Sequence, residues 1–146
     1  MGAYGGPDII TDGLLIVIDA GSVRSYSGSG TSVSNIIDNS TYTLQNSLGK
    51  VSDKGGTWGY DGADDYISGP TNSFGTLTGY TIAFWARRDS ENKMYISSTP
   101  GYFYWYGDNS WRYVHGGVGG ELYYGKNVSI PVGTWGYYVA TYDGSN

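Results

Sequence analysis

Cysteine is absent from this chain of 146 residues, and His115 is its one histidine. Without thiols there is no disulfide, no thiolate nucleophile and no cysteine-held zinc or iron–sulfur centre. A single imidazole rules out a His-x-Glu-x-x-His zinc site and any multi-histidine cage. Charge is scarce too: 14% of residues are Asp, Glu, Lys or Arg, against ~25% in an ordinary soluble domain. Eight Lys and Arg face 13 Asp and Glu for a net charge of −5, and Arg87-Arg88 is the one adjacent basic pair. A nucleic-acid groove needs clustered cations that displace counterions from phosphates, so no nucleic-acid partner is expected. Long apolar runs are missing as well. The longest, residues 14–18, falls far short of the ~20 residues of a membrane-crossing helix, and residues 1–12 carry no basic stretch of the kind that opens a signal peptide. Gly6 stands where N-myristoylation wants Ser or Thr. No membrane partner is expected, and the chain reads as made in a cytoplasm.

Glycine and aromatics fill the space left by charge: 25 Gly, 16 Tyr, 5 Trp and 3 Phe. Glycine with proline is about a fifth of the chain, below the ~25–30% that marks low-complexity disorder. Each aromatic side chain can bury ~150–250 Å², which argues for order. The length suits one domain burying roughly 68–70% of its unfolded surface.

No window keeps apolar residues at spacings of 3, 4 and 7 for a helix, whereas short runs rich in Tyr, Trp, Val, Ile and Thr alternate with turn residues. The fold class expected is all-β. Residues 14–18, apolar throughout after Asp12-Gly13, read as a strand covered on both faces. Residues 21–49 read as a segment that wraps the surface with some strand of its own. Residues 57–60 and 65–68 flank Asp61-Gly62-Ala63-Asp64, a hairpin or tight-turn signal because Gly accepts positive φ. In residues 80–88, Ile82, Phe84 and Ala86 point one way and Thr81, Ala83 and Trp85 the other, which suggests a central strand. Runs at 93–98, 102–106, 111–115 and 121–124 read as an antiparallel meander, and 134–142 as the last long strand. Asp143-Gly144 is a turn signal with no strand after it, so a returning strand from further chain or a neighbour is expected, or an unpaired edge.

Four ordered stretches resemble the laminin-G-like domains of the concanavalin-A-like lectin/glucanase superfamily, in the version found in phage and bacterial structural proteins. They are Gly13-Leu14-Leu15-Ile16-Val17-Ile18-Asp19-Ala20-Gly21 with Arg24-Ser25-Tyr26 and Gly28-Ser29-Gly30-Thr31; Tyr60-Asp61-Gly62-Ala63-Asp64-Asp65-Tyr66-Ile67; Tyr80-Thr81-Ile82-Ala83-Phe84-Trp85-Ala86-Arg87; and Gly133-Thr134-Trp135 with Val139-Ala140-Thr141-Tyr142-Asp143-Gly144. The resemblance implies a two-sheet antiparallel β-sandwich, a jelly roll, over residues 13–146, with residues 1–12 as an N-terminal arm and the last strand or strands lacking. Val33-Ser34-Asn35-Ile36-Ile37-Asp38 departs from the family pattern, which often has an aromatic there followed by Asp-Leu-Ser-Gly-Asn.

The superfamily includes glucanases whose catalytic strand resembles Glu-x-Asp-x-Glu. Glycosidic acid–base work needs two carboxylates ~5–5.5 Å apart for retention or ~6.5–9.5 Å for inversion. Glu91 and Glu121 are the only glutamates and lie 30 positions apart, while Asp64 and Asp65 are neighbours that a strand would point to opposite faces. A serine triad would depend on His115, and no Gly-x-Ser-x-Gly elbow accompanies it. Gly49-Lys50 and Gly125-Lys126 lead into Val51 and Asn127, not a phosphate loop. No catalytic residue is assigned, and a glycoside hydrolase is a remote alternative. Asp61, Asp64 and Asp65 around a Gly turn are weak calcium candidates, since hard cations want several oxygens and some laminin-G-like domains bind calcium at a sheet rim; the competing reading is that these carboxylates hold the turn. Calcium apart, no cofactor is expected.

Tyr102, Tyr104 and Tyr106 would share one face of a strand. With Trp111, Tyr113 and the loop residues Asp108 and Asn109, they are candidates for stacking on sugar, or for anchoring another subunit. The function expected is therefore a non-enzymatic phage virion component, a capsid decoration or fibre or tail appendage. Its partners would be other virion subunits, including copies of itself, and host-surface glycan. Low charge with abundant Tyr, Gly, Ser and Asn fits that virion setting. The alternative is a carbohydrate-binding module of a larger protein at the bacterial cell surface.

Overall fold

The computed structural model describes residues 11–70, 78–89, 95–98, 101–105, 111–117, 120–126 and 131–143; for the strands between residues 95 and 126 it is the backbone pairing that is described. Every strand pairing among these residues is antiparallel, and one short 3-10 turn, Asp53–Gly55, is the sole helical element among them. The all-β class read from the sequence holds. The chain divides into two compact units, Met1–Ser73 and Phe74–Asn146.

In the first unit, β1 (Ser32–Ser34), β2 (Thr41–Gln45) and β5 (Tyr66–Ser68) form a sheet in the order β1-β2-β5, and β3 (Gly49–Val51) pairs with β4 (Thr57–Gly59). Alternation builds the core. Along β2, Tyr42 and Leu44 are buried while Thr41, Thr43 and Gln45 are not, as a strand with one covered face requires. Tyr26, Val33, Tyr42, Leu44 and Leu48 form the buried cluster, with Ile16, Ile18, Trp58 and Ile67 packed on it. Tyr26 meets Trp58 edge-on at 5.0 Å between ring centroids, a geometry worth ~0.5–1.5 kcal/mol beyond area burial. Gly69 lies against the Tyr42 ring, where any Cβ would collide.

Three expectations change here. Residues 21–49 do not merely wrap the surface; they supply Tyr26, Val33, Tyr42, Leu44 and Leu48, most of this unit's core, because their apolar residues are few but, Val23 apart, fall on the inward side of short strands or turns. Residues 14–18 form no strand, and Leu14 and Leu15 are 37% and 46% exposed. Two of their backbone polar groups are satisfied by the side chain of Asn35 instead of a ladder: Val17 N–H donates to Asn35 Oδ1 at 2.9 Å, and Asn35 Nδ2 donates to the Leu15 carbonyl at 2.8 Å, while the Val17 carbonyl accepts the Ile36 N–H at 2.9 Å. Finally, β4 and β5 are not a hairpin. The Asp-Gly turn between them is present, but β4 pairs with β3 and β5 with β2.

In the second unit, β7 (Tyr95–Ser98), β8 (Gly101–Trp105), β9 (Trp111–Gly117) and β10 (Gly120–Lys126) form the expected meander, in the order β10-β9-β8-β7. β6 (Tyr80–Arg87) pairs over its full length with β11 (Trp135–Tyr142), from Tyr80 opposite Tyr142 to Arg87 opposite Trp135. Burial alternates along both strands. The inward side holds Phe84 stacked on Tyr138 at 5.3 Å and Tyr80 beside Tyr142 at 5.5 Å. β6, expected to be a central strand, pairs with β11 alone among the described strands, and on its outward face Trp85 is 67% exposed.

Candidate functional site

Asp61, Asp64 and Asp65 are brought together in the turn between β4 and β5, with one carboxylate oxygen from each within 4.8 Å of the others. That spacing lies within reach of a hard cation, whose oxygen ligands sit ~2.3–2.6 Å from the metal. Two of the carboxylates are already used by the turn. Asp61 Oδ1 accepts the Ala63 N–H at 2.8 Å, and Asp65 Oδ2 accepts the Asp61 N–H at 3.0 Å. Asp61 and Asp64 are exposed and Asp65 is half-buried. Next to the turn, the Tyr60 phenol is pushed up to about 12, first by desolvation and then by the Asp65 carboxylate.

Of the aromatic ladder, Tyr102 and Tyr104 lie on β8 and Trp111 and Tyr113 on β9, while Tyr106, Asp108 and Asn109 lie outside the described residues. Register sorts them. Tyr104 is opposite Arg112 and Tyr102 opposite Val114, whereas Trp111 is opposite Trp105 and Tyr113 opposite Phe103. Directly paired residues share a face, so Trp111 and Tyr113 belong with Phe103 and Trp105, and Tyr102 and Tyr104 with the other side. Glu121 on β10 is opposite Gly116, and His115 on β9 is opposite Leu122 and Gly101. Glu91 lies outside the described residues.

A group of residues not singled out in the sequence stands on the outward side of the β6–β11 ribbon. There Thr81 is paired with Thr141, Ala83 with Val139, Trp85 with Tyr137 and Arg87 with Trp135. Tyr137 is 55% and Val139 46% exposed. The Trp85 and Tyr137 rings lie 5.2 Å apart with 37° between their planes. The Arg87 guanidinium sits 5.6 Å from the Trp135 ring centroid and grips Asp89 through Nε at 2.8 Å and Nη2 at 3.1 Å. The sequence signal was the company Trp85 keeps: Thr81 and Arg87 share its face, and such polar neighbours mark a face turned to water.

A family model described as the concanavalin A-like lectin/glucanases superfamily matches residues 61–146, which include both ribbon strands and the meander. Among solved structures, an S-layer domain-containing protein (residues 221–444) from Clostridium thermocellum ATCC 27405 is similar, with a TM-score of 0.61 at 20% identity, covering 88% of this chain and 71% of that one. No curated protein matches the sequence. Among the described residues, no helix is long and apolar enough to cross a membrane.

Proposed function

The chain belongs to the concanavalin A-like lectin/glucanases superfamily, and from that membership we propose that it is a non-catalytic binding domain, attaching its owner to a surface through exposed aromatic residues. The observation that carries this reading is the outward face of the β6–β11 ribbon, where Trp85, Tyr137 and Val139 are each about half or more exposed. Large rings held in water by a rigid strand pair are what a binding surface presents, because burying them on contact releases structured water without ordering the protein. Two of the described carboxylates suit a non-catalytic reading. A glycosidase acid needs a pocket that raises its pKa, whereas Asp61 and Asp64 are exposed on a turn. The reading calls for no cofactor.

The setting we favour is a larger protein of the bacterial cell surface, in line with the S-layer domain-containing protein that shares the fold. The phage virion is the second reading, favoured by a composition of 16 Tyr and 25 Gly with 14% charged residues, which suits subunit contacts. Incubation of the purified protein with insoluble bacterial envelope material separates the outcomes. Co-sedimentation with no release of reducing ends is expected. Release of reducing ends would make the protein an enzyme. A protein that stays in the supernatant but joins virion particles would favour the second reading.

A further inference from the structure

We infer that residues 14–18 are a strap that detaches on its own, ahead of the sheet whose core it covers, and that Asp38, acting through the Asn35 amide, is its latch.

Three observations converge. The first is how the strap is tied. Apart from a local turn bond to Thr11, three hydrogen bonds join it to the rest of its unit among the described residues. Val17 N–H donates to Asn35 Oδ1 at 2.9 Å, Asn35 Nδ2 to the Leu15 carbonyl at 2.8 Å, and Ile36 N–H to the Val17 carbonyl at 2.9 Å. Two of the three end on one side chain, whereas β2 is laddered to β1 on one edge and to β5 on the other. The second is how little the strap buries. Ile16 and Ile18 pack on the core cluster, but Leu14 and Leu15 are 37% and 46% exposed. Segments with few buried contacts and few backbone bonds open at a free energy below that of global unfolding.

The third is what orients Asn35. Asp38 Oδ1 accepts Asn35 Nδ2 at 2.7 Å, along with the Ser40 N–H at 2.9 Å and the Ser40 hydroxyl at 2.7 Å. A carboxylate can only accept, so it keeps the Asn35 NH2 group on the Asp38 and Leu15 side and leaves Oδ1 for the N–H groups of Val17 and Ile37. A flipped amide would set donor against donor at Val17 and acceptor against acceptor at Leu15. The Ser40 hydroxyl and N–H, and then Asn35, hold the Asp38 carboxyl below its ordinary value of 3.8, and no charged neighbour bears on it among the described residues. The latch is therefore closed above the ordinary carboxylate range and loosens as pH falls through the lower folded value.

The test is native-state hydrogen exchange of the whole protein in increasing, sub-denaturing urea at neutral pH. The Val17 and Ile36 amides should exchange by an opening that hardly depends on urea. Leu44, bonded to the Thr31 carbonyl, should exchange only through a urea-sensitive one. Asp38→Ala should speed Val17 and Ile36 about tenfold and leave Leu44 unchanged, because the lost orienting bond acts on the strap alone. Asp38→Asn, whose amide oxygen can still accept, should speed them less. In the wild type, protection of Val17 relative to Leu44 should fall between about pH 6 and about pH 3, and Asp38→Ala should abolish that dependence. Protection of Leu44 establishes that each variant is folded. The inference is overturned if Val17 and Leu44 share one urea dependence, if Asp38→Ala leaves Val17 unchanged, or if it speeds both amides alike, which would make Asp38 a general support of the fold. Relative protection that ignores pH would likewise remove Asp38 as the latch.

Discussion

Asn35 does the work of a missing strand partner. It is 1% exposed, and its amide accepts the N–H groups of Val17 and Ile37 and donates to the Leu15 carbonyl and to Asp38 Oδ1. Asn35→Ala would strand several of these groups at ~1–3 kcal/mol each where they stay dry, so a loss of about 2–4 kcal/mol in urea unfolding is expected. Nothing in the sequence announced this residue beyond its place in the segment that departs from the family pattern, since a satisfied buried amide looks like any loop asparagine until its four partners are known. Titration gives a second prediction at this scale. The phenols of Tyr60 and Tyr80 are both pushed up to about 12, by desolvation first and then by Asp65 and Tyr142 respectively, from an ordinary value of 10.0. Below that ordinary value both folded and unfolded chains hold the protons and stability is intact. Between about 10 and about 12 the unfolded chain gives up protons that the fold retains, so stability falls as pH rises through that window. Urea midpoints should be flat up to about pH 10 and fall beyond it, with the fall reduced in Tyr80→Phe; a midpoint flat throughout would contradict the shifts. Tyr60, 52% exposed, contributes the smaller part.

At the scale of elements, turn chemistry and alternation were legible, and partner choice was not. Asp61-Gly62 marks a true turn, with Gly62 at φ +79 and open space where a Cβ would stand. The penalty of Gly62→Ala is therefore backbone strain alone, about 1–2 kcal/mol in urea unfolding, and Gly62→Asn should lose less, because Asn tolerates this conformation better. Equal stability of Gly62→Ala and wild type would show that the turn relaxes. The same turn does not make β4 and β5 a hairpin, because their partners β3 and β2 lie in the Ser- and Asn-rich segment whose apolar residues are too sparse to read as strands. The meander was readable from regular spacing. The exposure of Trp85 was harder to read, because Thr81 and Arg87 on its face point to water while its own bulk suits a covered face, and the 67% exposure decides between them.

For the molecule as a whole, composition excluded thiol and multi-histidine chemistry, and four spaced stretches pointed to the superfamily that the family model then matched over residues 61–146. The candidate site was less legible. Sequence density drew attention to the tyrosines of β8 and β9, whereas the most exposed ring among the described residues is Trp85 of β6, with Tyr137 of β11 beside it and Tyr60 and Tyr66 exposed in the other unit. The central claim is that binding takes place on that outward ribbon. The indole N–H signals of the five tryptophans in a 15N-correlated spectrum test it most directly, followed while soluble fragments of the bacterial envelope material that retains the protein are titrated in. The account predicts that Trp85 and its neighbour Trp135 shift while Trp58, packed on Tyr26 in the other unit, stays still. Movement of Trp105 and Trp111 with Trp85 unmoved would contradict it.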